Sequence, residues 1–141
     1  MGGILLDTNV LSDLMRPKPS TEAQNWFGRQ QNTAYFVSAI TRAEILLGIA
    51  LLPRGKRRDS LASAAEQMFN EDFAGRTLAF DGACAAEYAL LVAERTRRGR
   101  SISTEDGQIA ATALSHELSL ATRNAKDFKD IPGLTVLNPW A

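Results

Sequence analysis

Cysteine and histidine are almost absent from this sequence of 141 residues, which contains only Cys84 and His116. A single cysteine excludes an intramolecular disulfide and a thiolate zinc cage, and it is typical of proteins in a reducing cytosol. A single histidine excludes metal sites built from several imidazoles. Any metal ion must therefore be held mainly by oxygen atoms, which favours a hard cation such as Mg²⁺ or Mn²⁺.

The sequence also has no excess charge of either sign and no long apolar run. The 16 basic residues balance the 16 acidic ones, so no overall positive field attracts nucleic acid or anionic lipid. No apolar stretch approaches the roughly 20 residues of a membrane-spanning helix. The N-terminus has no basic region of the signal-peptide kind and reaches an acid at Asp7. We therefore expect a cytoplasmic protein without a membrane partner.

What the sequence does have is the composition of an ordinary globular protein, with 45% hydrophobic and 23% charged residues. The length predicts a single domain over residues 1–141, and a domain of this size buries enough surface to fold without disulfides or a structural metal.

Short apolar stretches alternate along the chain with segments of helical periodicity. The predicted strands cover residues 4–6, 35–38, 77–80, 118–122 and 134–137. The predicted helices cover residues 10–15, 21–29, 41–52 and 59–73, with two more after Asp81 and Ser103, and residues 95–100 are predicted as a polar break between these two. Apolar strands that alternate with helices predict a three-layer α/β/α domain with a mainly parallel sheet of about five strands.

Polar side chains recur at positions next to the strand ends. Asp7 ends the first strand, Glu44 lies in the first turn of the helix after the second, and Asp106 lies in the first turn of the helix before the fourth. Asn124 follows the fourth strand, with Asp127 one turn further on. Ligands of open parallel sheets bind outside the carboxyl ends of the strands. Carboxylates brought together there repel one another unless a cation lies between them, so the pattern predicts a divalent metal site.

Each of these residues also has a purely structural interpretation. Glu44 would form a capping box with Thr41, Asp106 would do the same with Ser103, and residues 123–128 would simply form a turn. One shared site explains their common sheet edge more simply than several independent caps.

The order and spacing of five stretches resemble the PIN-domain family, in particular toxins of the VapC kind and their FitB branch. The stretches are ILLDTN at 4–9, SAITRAE at 38–44, DGQIAATA at 106–113, ATRN at 121–124 and NPW at 138–140. The resemblance implies a PIN-like fold and a Mg²⁺- or Mn²⁺-dependent ribonuclease. It further implies a homodimer whose activity on RNA is blocked by a cognate antitoxin protein.

The resemblance assigns roles to particular residues. Asp7 and Asp106 are expected to be the principal metal ligands, and Glu44 to be a ligand directly or through water. The fourth acid of the family falls on Asn124, which brings an amide oxygen but no charge and is expected to position water. This departure weakens the case for a second metal ion, and Asp127 is a candidate to replace the missing acid. Thr8, Asn9 and Ser38 are expected to orient the carboxylates by hydrogen bonds.

Two basic runs are candidates for binding the phosphates of RNA, and both are open to a second interpretation as solvated helix ends, where basic side chains suit a helix C-terminus. The first run contains Arg54, Lys56, Arg57 and Arg58, and the second contains Arg95, Arg97, Arg98 and Arg100. Neither contains an aromatic residue, so base stacking on them is not expected.

Four other conspicuous side chains are predicted to lie outside the site. His116 has no companion ligand and is expected at or near the surface. Cys84 lies among alanines and is expected to be a small core residue, and Trp26 and Trp140 are expected to be packing anchors or dimer contacts.

Two rival functions remain open at this point. The first is a phosphotransferase in which Asp7 becomes phosphorylated, as in haloacid-dehalogenase-like phosphatases, although that chemistry places a second acid where this chain has Asn9. The second is a catalytically inactive PIN-like module that binds RNA or protein, an alternative that the departure at Asn124 keeps open.

Overall fold

A five-stranded parallel sheet forms the centre of the protein. The computed structural model describes residues 2–30 and 32–141. Within these residues the strands are β1 (Gly3–Leu6), β2 (Ala34–Ser38), β3 (Thr77–Leu78), β4 (Ser119–Ala121) and β5 (Val136–Leu137). Their order across the sheet is β3-β2-β1-β4-β5, and every pairing is parallel.

Helices cover both faces of this sheet. They are α1 (Thr8–Leu14), α2 (Thr21–Arg29), α3 (Ala39–Ala50), α4 (Lys56–Gln67), α5 (Gly82–Arg97) and α6 (Thr104–Ser115). A π-helical turn (Met68–Asp72) continues α4, and a 3-10 helix (Ala125–Phe128) follows β4.

Successive side chains of β1 point to opposite faces of the sheet and enter two separate cores. Leu6 packs with residues of α1, α3, α4 and the π-helical turn, whereas Leu5 packs with residues of α5 and α6. Both leucines are almost completely buried, because β1 lies in the middle of the sheet with helices on each side. The prediction of a three-layer α/β fold with about five mainly parallel strands is confirmed.

The sheet order puts the carboxyl end of β1 at a change of direction in the topology. From β1 the chain builds outward to β2 and β3, then returns to place β4 on the other side of β1. Such a reversal opens a crevice beyond the strand ends, where ligands of parallel sheets bind. The backbone N–H of Asp7 donates to the carbonyl of Ala121 at 2.9 Å, so the residues that follow β1 and β4 are held side by side there.

Most predicted strands differ from the structure by one or two residues at an end, and several helical segments differ as well. The predicted helix over residues 41–52 begins at Ala39, because Ser38 caps it and accepts from the backbone N–H of Thr41 at 3.0 Å. The predicted helix over residues 59–73 is α4, which already begins at Lys56, followed by the π-helical turn.

The predicted polar break over residues 95–100 is wrong in its first part. α5 continues to Arg97 and ends before Gly99, whose φ of +69° is the left-handed conformation that closes helices and suits glycine. Before that glycine, nothing in the local sequence stops the helix.

The four side chains predicted outside the site lie where expected. Cys84 and Trp26 are buried, His116 is exposed, and Trp140 is partly buried against one of the cores. In the part of the chain that the structure describes, no helix is long and apolar enough to cross a membrane.

Candidate active site

Asp7 is a buried carboxylate at the carboxyl end of β1, and only 4% of its surface is exposed. Its Oδ1 accepts from the backbone N–H of Thr8 at 2.8 Å. Its Oδ2 accepts from the Thr122 hydroxyl at 2.7 Å and from the Asn9 side-chain amide at 3.3 Å. These three donors come from α1 and from the end of β4, so they fix the carboxylate in one orientation at the crevice.

Among residues 2–30 and 32–141, no cation forms an ion pair with the buried Asp7. The ion pairs in this described part of the chain are Arg16–Asp13, Arg98–Glu94 and Arg100–Asp130, and none of them includes an acid of the predicted site. Burial raises the pKa of Asp7 and the negative charge of Glu44 adds to the increase, while the hydrogen bonds from Thr122, Thr8 and Asn9 oppose it. The carboxylate is therefore a buried anion held by neutral donors.

Glu44 approaches this site from α3 and is joined to α1. Its Oε1 accepts from the Thr8 hydroxyl at 2.5 Å, and that hydroxyl also lies 3.1 Å from the hydroxyl of Thr41. The alternative interpretation of Glu44 as a capping-box residue with Thr41 is wrong, because Ser38 caps α3 and Glu44 lies in the second turn of the helix.

Asp106 lies in the first turn of α6 and is half-buried. The structure has the predicted cap: the backbone N–H of Asp106 donates to the Ser103 hydroxyl at 3.1 Å. Burial raises the pKa of Asp106, followed by the negative charges of Asp7, Asp127 and Glu44, and the hydrogen bond with Ser103 opposes these effects. The purely structural interpretation of Asp106 as a capping residue is therefore incomplete, because Asp106 also interacts electrostatically with the other acids.

Asn124 and Asp127 lie beyond β4 on the exposed side of the crevice. The backbone N–H of Asn124 donates to the Thr122 hydroxyl at 3.1 Å, and Asn124 directly precedes the 3-10 helix that contains Asp127. Both side chains are exposed. Of the two, only Asp127 brings a charge toward Asp106, as the raised pKa of Asp106 reflects.

Sequence reasoning missed Thr122 and Thr41, which are both completely buried. Thr122 donates to Asp7 and accepts from the backbone N–H of Asn124, so it joins the ends of β1 and β4. A signal for Thr122 was present in the sequence: it follows β4 as Asp7 follows β1, and both positions face the same edge of the sheet. Thr41 has no comparable signal, because its contact with Thr8 joins residues far apart in the chain.

The donor set at this edge has the chemistry of a site for a hard divalent cation: carboxylate oxygens from three separate elements, without a basic partner. In the described residues, no group of three or more acid, histidine or cysteine side chains is close enough to hold one ion as the side chains lie. Glu44 points to Thr8 and Asp106 is close to Ser103. Joint ligation therefore requires a change in the conformation of these partly buried side chains.

Two cavities of different character flank the acids. The first, which we call the apolar cavity, has a volume of 470 Å³ and is lined mainly by apolar side chains of α3, of α4 and of the segment after α1. Its polar lining residues are Thr8, Ser12, Arg16, Glu44, Arg57 and Ser60. The second, which we call the polar cavity, has a volume of 560 Å³, and its lining includes Arg95, Arg100, Ser101, Ser103, Asp106, Lys126 and Asp127.

The structure separates the two basic runs by location. Lys56, Arg57 and Arg58 form the first turn of α4 and are largely exposed, as the interpretation of a solvated helix end requires. This end is the N-terminus, however, where the helix dipole disfavours positive charge. Arg95, by contrast, is not a solvated side chain: it is 6% exposed, and it donates to the carbonyls of Lys129 at 2.6 Å and Asp127 at 3.0 Å. Arg97, Arg98 and Arg100 are exposed at the end of α5 and just beyond it.

Comparison with known proteins gives one family and several close relatives. The family model described as "PIN domain" matches residues 4–134. The chain is 42% identical to "Toxin FitB" of Neisseria gonorrhoeae over 137 residues, which cover 97% of this chain and 98% of that protein. It is 39% identical to "VapC ribonuclease Y4jK" of Sinorhizobium fredii over 137 residues, which cover 97% of each protein.

Solved structures show the same architecture. A crystal structure of FitAcB from Neisseria gonorrhoeae superposes with a TM-score of 0.86 at 42% identity and covers 97% of this chain and 98% of its own. A "Toxin-antitoxin complex from Klebsiella pneumoniae" superposes with a TM-score of 0.65 at 28% identity and covers 96% and 97%.

Proposed function

The chain belongs to the PIN domain family, and from this membership we propose that it is a ribonuclease. In this proposal it hydrolyses RNA phosphodiester bonds with Mg²⁺ or Mn²⁺ and is the toxin of a toxin–antitoxin pair. The observation that supports the proposal is the buried carboxylate of Asp7, which has no cation partner and interacts with the charge of Glu44 at the carboxyl end of β1. The relatives named as ribonuclease and toxin match nearly the whole chain.

We assign the metal ligands to Asp7 and Asp106, with Glu44 as a ligand directly or through water. A bound divalent cation supplies Lewis acidity to phosphate oxygens and lowers the pKa of water for attack on phosphorus. Asp7 is suited to the fixed part of the site because three hydrogen bonds hold both of its oxygens. Asp106 and Glu44 are suited to the adjustable part because each is only partly buried.

The residues around the acids orient them and position water. Thr122 and Asn9 hold Oδ2 of Asp7, and Thr8 holds Glu44 toward α1. Asn124 is exposed and its backbone N–H donates to Thr122, and we assign its side-chain amide the role of positioning water next to the acids. Asn124 adds no negative charge, so one metal ion is the better supported number, with Asp127 as the acid that would assist a second.

The geometry disfavours the phosphotransferase alternative. Asn9 occupies the position of that chemistry's second acid, and its side chain is already used: the amide nitrogen donates to Asp7, and the amide oxygen accepts from the backbone N–H of Arg123 at 3.0 Å. An inactive binding module remains the second candidate, because Asn124 stands where the family has an acid.

The proposal includes two protein partners and a location. A cognate antitoxin is the expected partner, since the chain resembles a solved toxin–antitoxin complex. A second copy of the chain is also expected, and the exposed leucines suit an apolar interface: Leu46 and Leu47 on α3, Leu51 at the C-cap of α3, and Leu90 on α5. We further propose that the chain acts in the cytoplasm as one PIN-like domain.

The test of the activity is RNA cleavage by the purified protein with and without added Mg²⁺ or Mn²⁺. We expect cleavage only with the metal and none by Asp7→Asn, a variant that keeps the size of the side chain. Cleavage in excess chelator, or full activity of Asp7→Asn, would contradict the proposal. An acyl phosphate trapped on Asp7 would instead support the phosphotransferase.

The test of the partner is co-expression with the neighbouring small open reading frame. We expect the two proteins to copurify and RNA cleavage to be suppressed in the complex. Absence of a complex, together with undiminished cleavage, would contradict this part of the proposal.

A further inference from the structure

The polar cavity beside Asp106 is distinct in chemistry from the apolar cavity beside Glu44. The apolar cavity is lined by side chains such as Ile45, Ile49 and Leu61, which suit an apolar occupant. The polar cavity is lined by two serines, by the acids Asp106 and Asp127, and by three cations. These cations are Arg95, Arg100 and Lys126, and together they give this cavity, despite its two acids, a chemistry suited to an anion.

The walls of the polar cavity are fixed by the buried Arg95. Its guanidinium donates to the carbonyls of Lys129 and Asp127, which ties the end of α5 to the 3-10 helix that contains Lys126. The main chain that carries Lys126 and Asp127 is therefore held against α5 and the loop before α6. A preorganised cavity loses less freedom when it binds a ligand than one with mobile walls.

The two exposed cations of this cavity are accessible to a ligand. Arg100 contacts Asp130 at 2.8 Å, but both side chains are about half exposed, and an ion pair of this kind contributes little. A phosphate group can therefore replace Asp130 as the partner of Arg100 at small cost. The Lys126 side chain is exposed and forms no ion pair among the residues that the structure describes.

We propose that the polar cavity is a subsite for a backbone phosphate of RNA next to the bond that is cleaved, with Arg100 and Lys126 as the phosphate-binding residues. The inference rests on the proposed function, because it places this phosphate beside the acid Asp106. It also gives the arginines of the second basic run different roles. Within the second run, Arg100 binds substrate, Arg95 is a positioning residue, and Arg97 and Arg98 do not line the cavity.

The experiment compares two double variants that remove the same formal charge. Arg100→Gln with Lys126→Gln removes both cations of the subsite, whereas Arg97→Gln with Arg98→Gln removes two exposed cations nearby. The control is matched in kind, because Arg98 pairs with Glu94 at 3.0 Å as Arg100 pairs with Asp130. Thermal unfolding of each variant, expected to match the wild type because all four side chains are exposed, shows that the fold is kept.

The probe is a short fluorescein-labelled single-stranded RNA, and its affinity is measured by anisotropy over a range of KCl concentrations. Excess chelator keeps the RNA intact. Each phosphate contact contributes about 0.7 to the slope of log K against log salt for single strands. We expect the subsite variant, which no longer neutralises this one phosphate, to lose about 0.7 of slope and the control to keep the wild-type value. Equal losses in both variants, no loss in either, or no measurable binding by the wild type at low salt would overturn the proposal.

Two further measurements distinguish a failure of the phosphate subsite from a failure of the proposed ribonuclease function. Single-stranded DNA of the same sequence is expected to show the same loss of slope, because a phosphate contact does not read the sugar. A loss confined to RNA would overturn the phosphate subsite in favour of a ribose contact. Wild-type cleavage with Mg²⁺ is recorded in parallel, so that an inactive wild type counts against the proposed function while the binding slopes decide the subsite.

Discussion

Asp7 and Asp13 are two buried aspartates at opposite ends of α1, with 4% and 6% of their surface exposed. Asp13 has partners that explain its burial: it pairs with Arg16 at 3.2 Å and accepts from the backbone N–H and hydroxyl of Ser20 at 3.1 and 3.0 Å. It thereby ties α1 to the N-cap of α2. Asp7 has neutral donors only, and it lies close enough to Glu44 for the two charges to interact.

The difference separates a structural acid from a functional one. A buried carboxylate with a cation and hydrogen-bond donors has partners for its charge, so its burial needs no ligand to explain it and its removal leaves those partners unpaired. A buried carboxylate that faces other acids is an unfavourable arrangement for the protein alone, and its energy falls when a cation binds. The two residues therefore predict opposite effects of the same isosteric substitution, and this contrast is open to experiment.

The largest expected effect is on catalysis. Asp7→Asn is expected to lower the initial rate of RNA cleavage by at least about 1000-fold, because it removes the buried charge of the metal site. Asp13→Asn is expected to stay within about threefold of the wild type, since Asp13 faces α2 and not the crevice. Comparable losses in both variants would break the distinction between the two aspartates.

The second effect concerns the donor that holds Asp7. Thr122→Val keeps the shape of the side chain but removes the hydroxyl that donates to Oδ2 at 2.7 Å. Partners that orient a metal ligand typically change affinity by 10- to 100-fold, and we expect a Mn²⁺ dissociation constant raised by about that factor. Thr112→Val, which removes the hydroxyl of another buried threonine that donates to the Gln108 carbonyl within α6 at 2.8 Å, serves as the control. An unchanged Mn²⁺ affinity in Thr122→Val would contradict this role.

The third effect is on the free energy of unfolding. Here Asp13→Asn, and not Asp7→Asn, is expected to be the more damaging substitution. Asp13→Asn is expected to lower the free energy of unfolding by about 1–2 kcal/mol, because it weakens hydrogen bonds from Ser20 and the pair with the exposed Arg16. Urea unfolding in the presence of chelator measures this change. A variant as stable as the wild type would mean that Asp13 does not tie α1 to α2.

The smallest effect is a pH-dependent gain of stability in Asp7→Asn. Burial raises the pKa of Asp7 in the folded protein above its ordinary value of 3.8, so the folded protein binds this proton more tightly than the unfolded chain. The stability of the wild type therefore falls as the pH rises through the folded pKa. Without metal, the variant is expected to melt a few degrees higher at neutral pH.

The higher melting temperature of Asp7→Asn is expected to disappear at pH values below the ordinary pKa of 3.8, because Asp7 is then protonated in both the folded and the unfolded protein. Thermal melts at a series of pH values in excess chelator give the comparison, with Asp13→Asn as the parallel series. A lower melting temperature of Asp7→Asn at neutral pH would show that its hydrogen bonds outweigh the burial of its charge.

Much of the fold was open to prediction because its signals are local. The apolar run before Asp7 predicts a buried strand, and Ser103 with Asp106 predicts the start of α6; the structure contains both. The start of α3 was misplaced because Ser38, correctly assigned to a strand, also caps the helix that begins directly after it, and the end of α5 was misplaced because Arg95 was assigned to a break. In the folded chain, Ser38 caps α3 and Arg95 is buried against the carbonyls of residues 127 and 129.

The candidate acids were also open to prediction from their positions at the strand ends, but their partners were not. The bond from Thr8 to Glu44 joins residues 36 apart in the chain, and the bond from Thr122 to Asp7 joins residues 115 apart. No local pattern reports such contacts, because they depend on how the strands are ordered in the sheet. The structural role of Asp13 was missed for a related reason: its bond to Ser20 spans the turn between α1 and α2.

Binding of Mn²⁺, followed by electron paramagnetic resonance in the absence of RNA, tests the role of Asp7 most directly. Wild type and Asp13→Asn are expected to bind the ion with similar affinity, and Asp7→Asn is expected to lose this binding. Equal binding by all three proteins, or no binding by the wild type, would contradict the assignment of Asp7 as the buried ligand of a divalent metal site.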